Sequence, residues 1–373
     1  MLYNGSGRVS CGQHLTGAQS VGRHTASVQR RPDLVLGTMM FGDSISGKES
    51  HRMMDYAFDH GVRMFDTAEM YPVPQSADTQ GASERCIGSW MKHRDRSSVQ
   101  ICTKVAGPAA MSWLRGGPVT LDAKNIKEAV EQSLQRLQTE YVDLLLLHWP
   151  DRYVPMFGDD VYDVSYSYST FSSFEEQIDA MLQLHEQGKI VAFGLSNETP
   201  YGVMKFCEAS RQYSLKPSVL QNAYSLLCRT FECGGLAECC HMEGIGLMAY
   251  SPLAMGLLSG KYLGGACQDP EARLVKFKGR YAEAESRYGP KPNVYDAIAA
   301  YVKLAEKHHM SPVELALRFV MSHPQMESVV IGASTLQQLD ELIQIWNSGG
   351  IILDEDILDE LHRIHTMFPN PTP

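Results

Sequence analysis

The sequence predicts an α/β fold, a (β/α)8 TIM barrel with long loops after its fourth and seventh strands. Eight short apolar segments have the length of buried strands, and segments with helical periodicity alternate with them. Eight alternating βα units favour a closed barrel over a doubly wound sheet. The chain has 373 residues, 44% of them hydrophobic, so it is long enough to bury the core of one such barrel.

The predicted strands are apolar runs that end in polar or turn residues, near positions 34, 64, 101, 144, 192, 221, 248 and 330. Helices are predicted between them at 49–59, 83–93, 123–138, 174–187, 200–212, 230–242, 295–308 and 335–346. An added helix is expected at 311–322, because Pro312 suits a first helical position. Gly61, Gly188 and Gly244 lie where helices should end in a left-handed cap.

Two connections, residues 151–173 and 256–294, are too long to be plain loops. They follow the fourth and seventh strands, and insertions of this kind usually form lids or substrate walls. The barrel domain is therefore expected to span residues 33–373, with both insertions on its catalytic side.

Residues 1–32 contain no Asp or Glu but carry Arg8, Arg23, Arg30 and Arg31 among Ser, Gly, Gln and His. This composition is typical of an organelle transit peptide and lacks the apolar centre of a secretory signal. A plastid or mitochondrial location follows if the segment is a leader, and a cytoplasmic one otherwise. A disordered tail or an imperfect gene model would have the same composition.

The overall composition excludes several classes of protein. The formal net charge of −10 argues against a broad nucleic-acid surface, and no apolar run approaches the ~20 residues that cross a bilayer. Nine cysteines without a framework predict reduced thiols. The densest group, which is Cys228, Cys233, Cys239, Cys240 and His241, lacks the paired spacing of a zinc site, so no metal is predicted.

Polar residues at three strand ends predict a catalytic site. Asp66 ends the second strand and Tyr71 follows five residues later, while Lys104 ends the third strand and His148 the fourth. The carboxyl ends of parallel strands share one rim, where active sites collect. Each residue alone more often has a structural role, as a helix cap or an ordinary ion pair. Four suitable types at four such positions favour catalysis.

The residue types indicate protonation of a carbonyl oxygen. A phenol has an ordinary pKa of about 10, and a neighbouring ammonium should lower it, so that Tyr71 can give up a proton near neutral pH. Asp66 would hold Lys104 charged and in place, and His148 would orient a substrate oxygen. Met39, Phe41, Met70 and Trp149 flank these positions and are expected either in a substrate pocket or in the core.

Nine segments, found in order at or near the eight predicted strand ends, resemble the aldo-keto reductases, most closely the Tas-like branch. They are GTMMFG at 37, FDTAEMYPVP at 65, TKV at 103, LLLLHWP at 144, FGLSNET at 193, QNAYSLL at 221, AYSPL at 249, GLLSGKY at 256 and VIGAST at 330. The resemblance runs from about Leu34 to the C-terminus. It implies that Asp66, Tyr71, Lys104 and His148 form the family's catalytic tetrad.

The resemblance also implies a nicotinamide cofactor, held without a Rossmann fingerprint, and no GxGxxG follows a strand in this chain. Ser196, Asn197 and Gln221 match positions that hold the carboxamide, and Tyr250 matches the aromatic residue that stacks on the nicotinamide. The pyrophosphate loop is matched by residues 251–256, which include Ser251, Leu253 and Gly256.

At the adenine end, the resemblance covers Gly332, Ser334, Gln338 and Glu341. The chain departs from the family here, with Ala333, Gln338 and Leu342 in place of the usual Lys, Arg and Asn. A 2′-phosphate is instead expected to meet Lys261 and either Arg273 or Lys276, so NADPH is predicted to be preferred over NADH. The family's usual barrel-floor hairpin has no visible counterpart before Asp33.

The resemblance therefore implies an NADP-dependent reductase that converts small aldehyde or ketone substrates to alcohols. The alternative is a redox sensor that binds the cofactor and regulates a partner, similar to the potassium-channel β subunits of this superfamily. Those subunits retain the tetrad. Turnover distinguishes the two, because an enzyme cycles whereas a sensor holds its cofactor and consumes carbonyls very slowly.

Overall fold

Eight parallel strands close into a barrel in the order of the sequence, in a computed structural model that describes residues 31–373 except 167–170, 265–266, 268 and 350–351. The strands are β1 Asp33–Gly37, β2 Met64–Asp66, β3 Gln100–Val105, β4 Val142–Leu147, β5 Ile190–Ser196, β6 Val219–Ala223, β7 Gly246–Tyr250 and β8 Met326–Ile331. All eight predicted strands are thus confirmed. The predictions of a transit peptide and of a missing floor hairpin concern residues 1–32, of which 1–30 lie outside the described residues.

Helices alternate with the strands around the barrel. They are α1 Gly47–Asp59, α2 Ala82–Met91, α3 Ala123–Leu137, α4 Phe174–Glu186, α5 Pro200–Ser210, α6 Leu236–Glu243, α7 Arg273–Lys276, α8 Ala282–Ser286, α9 Val294–Lys307, α10 Pro312–Met321, α11 Leu336–Asn347 and α12 Glu355–Met367. The predicted helix at 230–242 is wrong in its first half. Residues Thr230–Glu232 form a short 3-10 turn instead. Gly234 and Gly235, both with positive φ, separate this turn from α6.

Local sequence explains where these helices begin and end. The side chains of Asp122, Ser173 and Ser311 accept hydrogen bonds from backbone N–H groups three residues later, which caps α3, α4 and α10. Gly244 ends α6 with a φ of 66°, a conformation that glycine adopts without the strain a side chain would add. The predicted caps at Gly61 and Gly188 also have positive φ and are confirmed.

Alternation along the strands creates two apolar layers, because successive side chains point to opposite faces of a strand. The large outer layer packs the strands against the helices. A small inner cluster fills the barrel and consists of Val35, Cys102, Leu144, Leu146, Val219, Met248 and Val330. The barrel interior is therefore a packed core.

Two segments outside the regular βα units meet above the barrel. Residues 148–173 lie between β4 and α4, and residues 251–293 lie between β7 and α9 and contain α7 and α8. Ser286 Oγ of α8 donates to the Phe157 carbonyl at 2.6 Å. A Cβ at Gly158 would lie 2.6 Å from the Ser286 carbonyl oxygen, so this contact requires glycine. The two segments thus touch over the carboxyl ends of the strands.

Within the described ranges, no helix is long and apolar enough to cross a membrane. The same part of the chain holds no group of three His, Cys, Asp or Glu side chains placed to bind a metal ion. Of the residues considered for a zinc site, Cys228 and Cys240 are buried as free thiols and Cys233 is exposed.

Candidate active site

A cavity of about 930 Å³ opens where the carboxyl ends of the strands meet the two long segments. Strand parity explains which side chains reach it. Cys102 belongs to the inner cluster, so Lys104, two residues further along β3, lies on the same face and one layer closer to the rim. The same rule carries Asp66 on β2, Gln221 on β6 and Tyr250 on β7 to that layer.

The centre of the site is a buried ion pair. Lys104 Nζ donates to Asp66 Oδ2 at 2.6 Å and to the Thr67 carbonyl at 2.8 Å. Gln221 Nε2 donates to the other carboxylate oxygen of Asp66 at 2.8 Å. Burial alone would lower the pKa of Lys104, but the contact with Asp66 raises it above the ordinary value, so the amine stays charged.

Tyr71 lies next to this pair, with Lys104 Nζ 5.0 Å from the centre of its ring. Burial raises the pKa of Tyr71 to about 12, and Lys104 opposes this only in part. The expectation that Lys104 brings the phenol close to neutral pH is therefore wrong in this structure. Desolvation outweighs the ammonium because the ring is 9% exposed. The phenol is consequently protonated at neutral pH.

His148 lies beside Tyr71 and also lines the cavity. Its ring centre is 5.6 Å from that of Tyr71 in an edge-on arrangement and 4.7 Å from that of Trp149. Burial, followed by the charge of Lys104, lowers the pKa of His148 well below its ordinary value, so the imidazole is neutral. Its Nδ1 atom is buried without a hydrogen-bond partner in the described structure. All four predicted catalytic residues are thus brought together.

A second buried ion pair, which was not predicted, fixes the loop that carries Tyr71. Glu69 Oε1 accepts from the backbone N–H of Ala106 at 2.7 Å and pairs with Arg115, and both side chains are 1% exposed. The Glu69 N–H donates to the Lys104 carbonyl at 3.2 Å. Arg115 Nε also donates to Asn125 Oδ1 at 2.9 Å. This pair joins the loop after β2 to the end of β3.

We expect Arg115→Met to lower the free energy of unfolding by about 3–5 kcal/mol, because Glu69 would be left buried without its partner. Burial already raises the pKa of Glu69, against the effect of Arg115. Loss of Arg115 should raise that pKa further, so the destabilisation should be smaller at about pH 5 than at about pH 8. Urea unfolding at both pH values measures this, with Arg211→Met, a change of an exposed residue just after α5, as control. Equal stability of the two variants would contradict the assignment.

All the residues expected to hold a cofactor line the same cavity, namely Ser196, Asn197, Gln221, Tyr250, Ser251, Leu253, Gly256, Lys261, Arg273, Gly332, Ser334, Gln338 and Glu341. Several of them are already joined to one another. The Tyr250 hydroxyl donates to Asn197 Oδ1 at 2.7 Å, and Asn197 Nδ2 donates to the His148 carbonyl at 2.9 Å. The amide nitrogen of Gln221 is taken by Asp66, so its oxygen is the atom left for a ligand.

The positions of the cations distinguish between Arg273 and Lys276, the two alternatives expected to contact a phosphate. Arg273 and Lys261 line the cavity, and within the described part of the chain neither has a carboxylate within ion-pair distance. Lys276 instead pairs with Glu271 at 2.6 Å and does not line the cavity. The Arg273 guanidinium lies against Gly332, where a Cβ would come 2.9 Å from one of its nitrogens. Burial lowers the pKa of Arg273, as expected for a cation that lacks an anionic partner.

The rest of the cavity wall is mostly apolar. Met39, Met70 and Trp149 line the cavity, which is one of the two locations expected for them. Phe41 lies instead in the core and is 1% exposed. The wall also includes residues that the sequence did not single out, among them Met111, Trp113, Met156, Phe157, Asp159, Tyr281, Glu283 and Tyr288. Of the long-loop tyrosines, Tyr162 and Tyr166 are exposed and do not line the cavity, and Tyr168 lies outside the described residues.

A closed parallel barrel with an Asp–Lys pair, a phenol and an imidazole at its carboxyl rim defines a class of oxidoreductase. Residues 33–361 match the model of the aldo/keto reductase family, and the chain belongs to this family. It is similar to the protein named Protein tas of Escherichia coli (strain K12), with 40% identity over 348 residues that cover 91% of this chain and 96% of that protein.

A second relative comes from a different organism. A protein named aldo-keto reductase, from Babesia bovis, is 38% identical over 288 residues, which cover 74% of this chain and 98% of that protein. These findings confirm the predicted family and its Tas-like branch. The chain is an oxidoreductase of the aldo-keto reductase type, a class that acts on small-molecule carbonyl substrates.

Proposed function

We propose that this protein is an NADPH-dependent reductase that converts aldehydes or ketones to alcohols, with Tyr71 as the general acid. One observation carries the proposal. Asp66, the protonated Tyr71 and the neutral His148 line one cavity, with Lys104 paired to Asp66 beside them, and the same cavity carries Lys261 and Arg273, neither of which has a carboxylate within ion-pair distance among the described residues. A site of this kind can both protonate an oxygen and bind an anionic ligand.

The residues present fit a nicotinamide dinucleotide. Tyr250 offers an aromatic ring that is fixed by its hydrogen bond to Asn197, and Gln221 offers an amide oxygen next to it. Gly256 has a φ of 90° and lines the cavity, so the backbone there can approach a phosphate without a side chain in the way. Arg273 and Lys261 supply the charge for phosphate groups. When bound, the reduced nicotinamide supplies the hydride that adds to the carbonyl carbon.

The chain's own residues handle the proton. A carbonyl oxygen placed between Tyr71 and His148 would accept hydrogen bonds from the phenol and from the neutral imidazole. Tyr71 then donates its proton as negative charge develops on that oxygen. Lys104, held by Asp66, stabilises the phenolate that results. Before the reaction the ammonium offsets the effect of burial on the phenol only in part, but once the phenolate has formed the two opposite charges attract each other.

The nucleotide preference is tested by Arg273→Met. We expect this change to raise the Kd for NADPH by about 10- to 100-fold, because a charge-assisted contact to the 2′-phosphate is lost, and to change the Kd for NADH much less. Titration calorimetry with both nucleotides measures the two constants without turnover. Lys276→Met is the matched control, since Lys276 lies on the same short helix and pairs with Glu271 outside the cavity. Equal weakening of both nucleotides by Arg273→Met would contradict the phosphate assignment.

A further inference from the structure

Helix α8 places a carboxylate in the wall of the cavity. Tyr281 and Glu283 line the cavity together with Tyr71, while Ser286, at the end of the same helix, is bonded to Phe157 on the opposite segment. The helix belongs to the second long segment, and this hydrogen bond holds it against the first. Neither the family motifs nor the strand-end pattern pointed to this helix, and the mechanism above does not use Glu283.

The carboxylate of Glu283 is held in place. The Tyr281 hydroxyl donates to Glu283 Oε2, and an Arg287 guanidinium nitrogen lies 3.5 Å from Glu283 Oε1. The same arginine nitrogen donates to the Tyr250 hydroxyl at 2.9 Å. Glu283 is thus tied through Arg287 to Tyr250, which faces the reacting centre. A side chain fixed in this way keeps its charge at one position and does not move among several rotamers.

Among the described residues, no cation close to Glu283 lines the cavity. Arg287 does not line the cavity, and the lining cations, Lys261 and Arg273, belong to the end assigned above to phosphate groups. After burial and Asp66, Glu283 is a further cause that raises the pKa of Tyr71, so its charge acts at the reacting centre. Apart from Asp159, an exposed carboxylate of the first long segment that also lines the cavity, the walls here are mainly aromatic and methionine side chains, which recognise apolar ligands by contact area.

We propose that Glu283 selects substrates by charge: the cavity accepts apolar carbonyl compounds that are neutral or cationic and rejects those that carry a carboxylate or phosphate. This inference rests on the proposed reductase function and names its substrate class. In an otherwise apolar pocket, a small number of polar groups usually determines specificity. A fixed charge repels ligands that carry a charge of the same sign and so rejects them effectively.

Three benzaldehydes that differ at the para position test the proposal, with a nitro group (neutral), a carboxylate (anionic) or a trimethylammonio group (cationic). Each kcat/KM is divided by the rate of borohydride reduction of the same aldehyde, which removes intrinsic reactivity. We expect the normalised value for the carboxylate to be about tenfold below that for the nitro compound, the factor for two like charges roughly 10 Å apart in a partly solvated site. The cationic compound should equal or exceed the nitro compound.

The variant Glu283→Gln should raise the carboxylate-to-nitro ratio by about tenfold, because the charge is lost and Arg287 is left uncompensated. Its matched control is Glu285→Gln on the same helix. Glu285 lies outside the cavity and accepts from the Gly279 N–H, which a glutamine oxygen can still do, so the wild-type ratio is expected. If Glu283→Gln does not fold, the wild-type preference against the carboxylate should still shrink as salt is added.

The possible results separate the two claims. If the wild-type protein reduces the nitro compound and its normalised kcat/KM for the carboxylate compound equals that for the nitro compound, the charge selection is overturned. The reductase function is unaffected by this result. The same conclusion follows if Glu283→Gln and wild type share one carboxylate-to-nitro ratio. No turnover of any of the three aldehydes by the wild-type protein would overturn the inference about the substrate class, whereas the reductase function is overturned only if no member of a wider panel of aldehydes and ketones is turned over.

Discussion

Replacement of Tyr71 by phenylalanine is expected to lower kcat for carbonyl reduction by at least ~100-fold, the usual contribution of a positioned general acid. The ring would still fill its place against Lys104 and His148, so the cavity should keep its shape. The Kd for NADPH should therefore stay close to that of the wild-type protein. Steady-state kinetics and nucleotide titration on the same preparation separate the two effects.

The control for this experiment is Tyr295→Phe, which removes the hydroxyl of an exposed tyrosine on α9 and should leave kcat unchanged. A Tyr71→Phe variant that retains near-normal kcat would refute the role of Tyr71. A variant that loses NADPH affinity as well as activity would instead show that the phenol is needed for binding.

Replacement of Lys104 by methionine is expected to lower reduction by a comparable factor, about 100-fold, because the phenolate that forms on Tyr71 would lose its stabilising charge. Asp66 would also remain buried without its ammonium partner, supported only by Gln221. We therefore expect a loss of unfolding free energy of about 3–5 kcal/mol, measured by urea unfolding. Lys276→Met serves again as control, because it removes a lysine outside the cavity.

The pH dependence of the reverse reaction gives a sharper test of the same contact. Alcohol oxidation needs the Tyr71 phenolate, and the pKa of Tyr71 is about 12, so the rate should rise about tenfold per pH unit between about pH 7 and 10. Since Lys104 lowers that pKa, Lys104→Met should raise it and shift the whole profile to higher pH. A profile that coincides with that of the wild-type protein would argue against the role of Lys104.

The parts of the structure that follow a regular period could be predicted from the sequence. Strand parity fixes the face on which a residue lies, so Asp66 and Lys104 reach the rim once their strands are recognised. Helix α12 was not predicted, although Asp354 is well placed to precede a helix and Ile357, Leu361 and Ile364 recur at helical spacing. That signal was present in the chain and could have identified the helix.

Other features left no such signal. Helix α8 has five residues, too few to show a period, so nothing marked Glu283 as a wall of the cavity. Glu69 and Arg115 are 46 residues apart and meet only because the barrel brings the ends of β2 and β3 together. The pKa of Tyr71 could not be inferred either, because it depends on how completely the surrounding residues remove water from the ring.

The central claim is that the site turns over carbonyl compounds with NADPH, and one measurement tests it most directly. NADPH consumption is followed with a panel of aldehydes and ketones, using wild type and Tyr71→Phe at known active-site concentration. The account predicts many turnovers per site with at least one class of carbonyl, and their loss in Tyr71→Phe. Tight NADPH binding without turnover across the panel would contradict it and would favour a redox sensor that holds its cofactor.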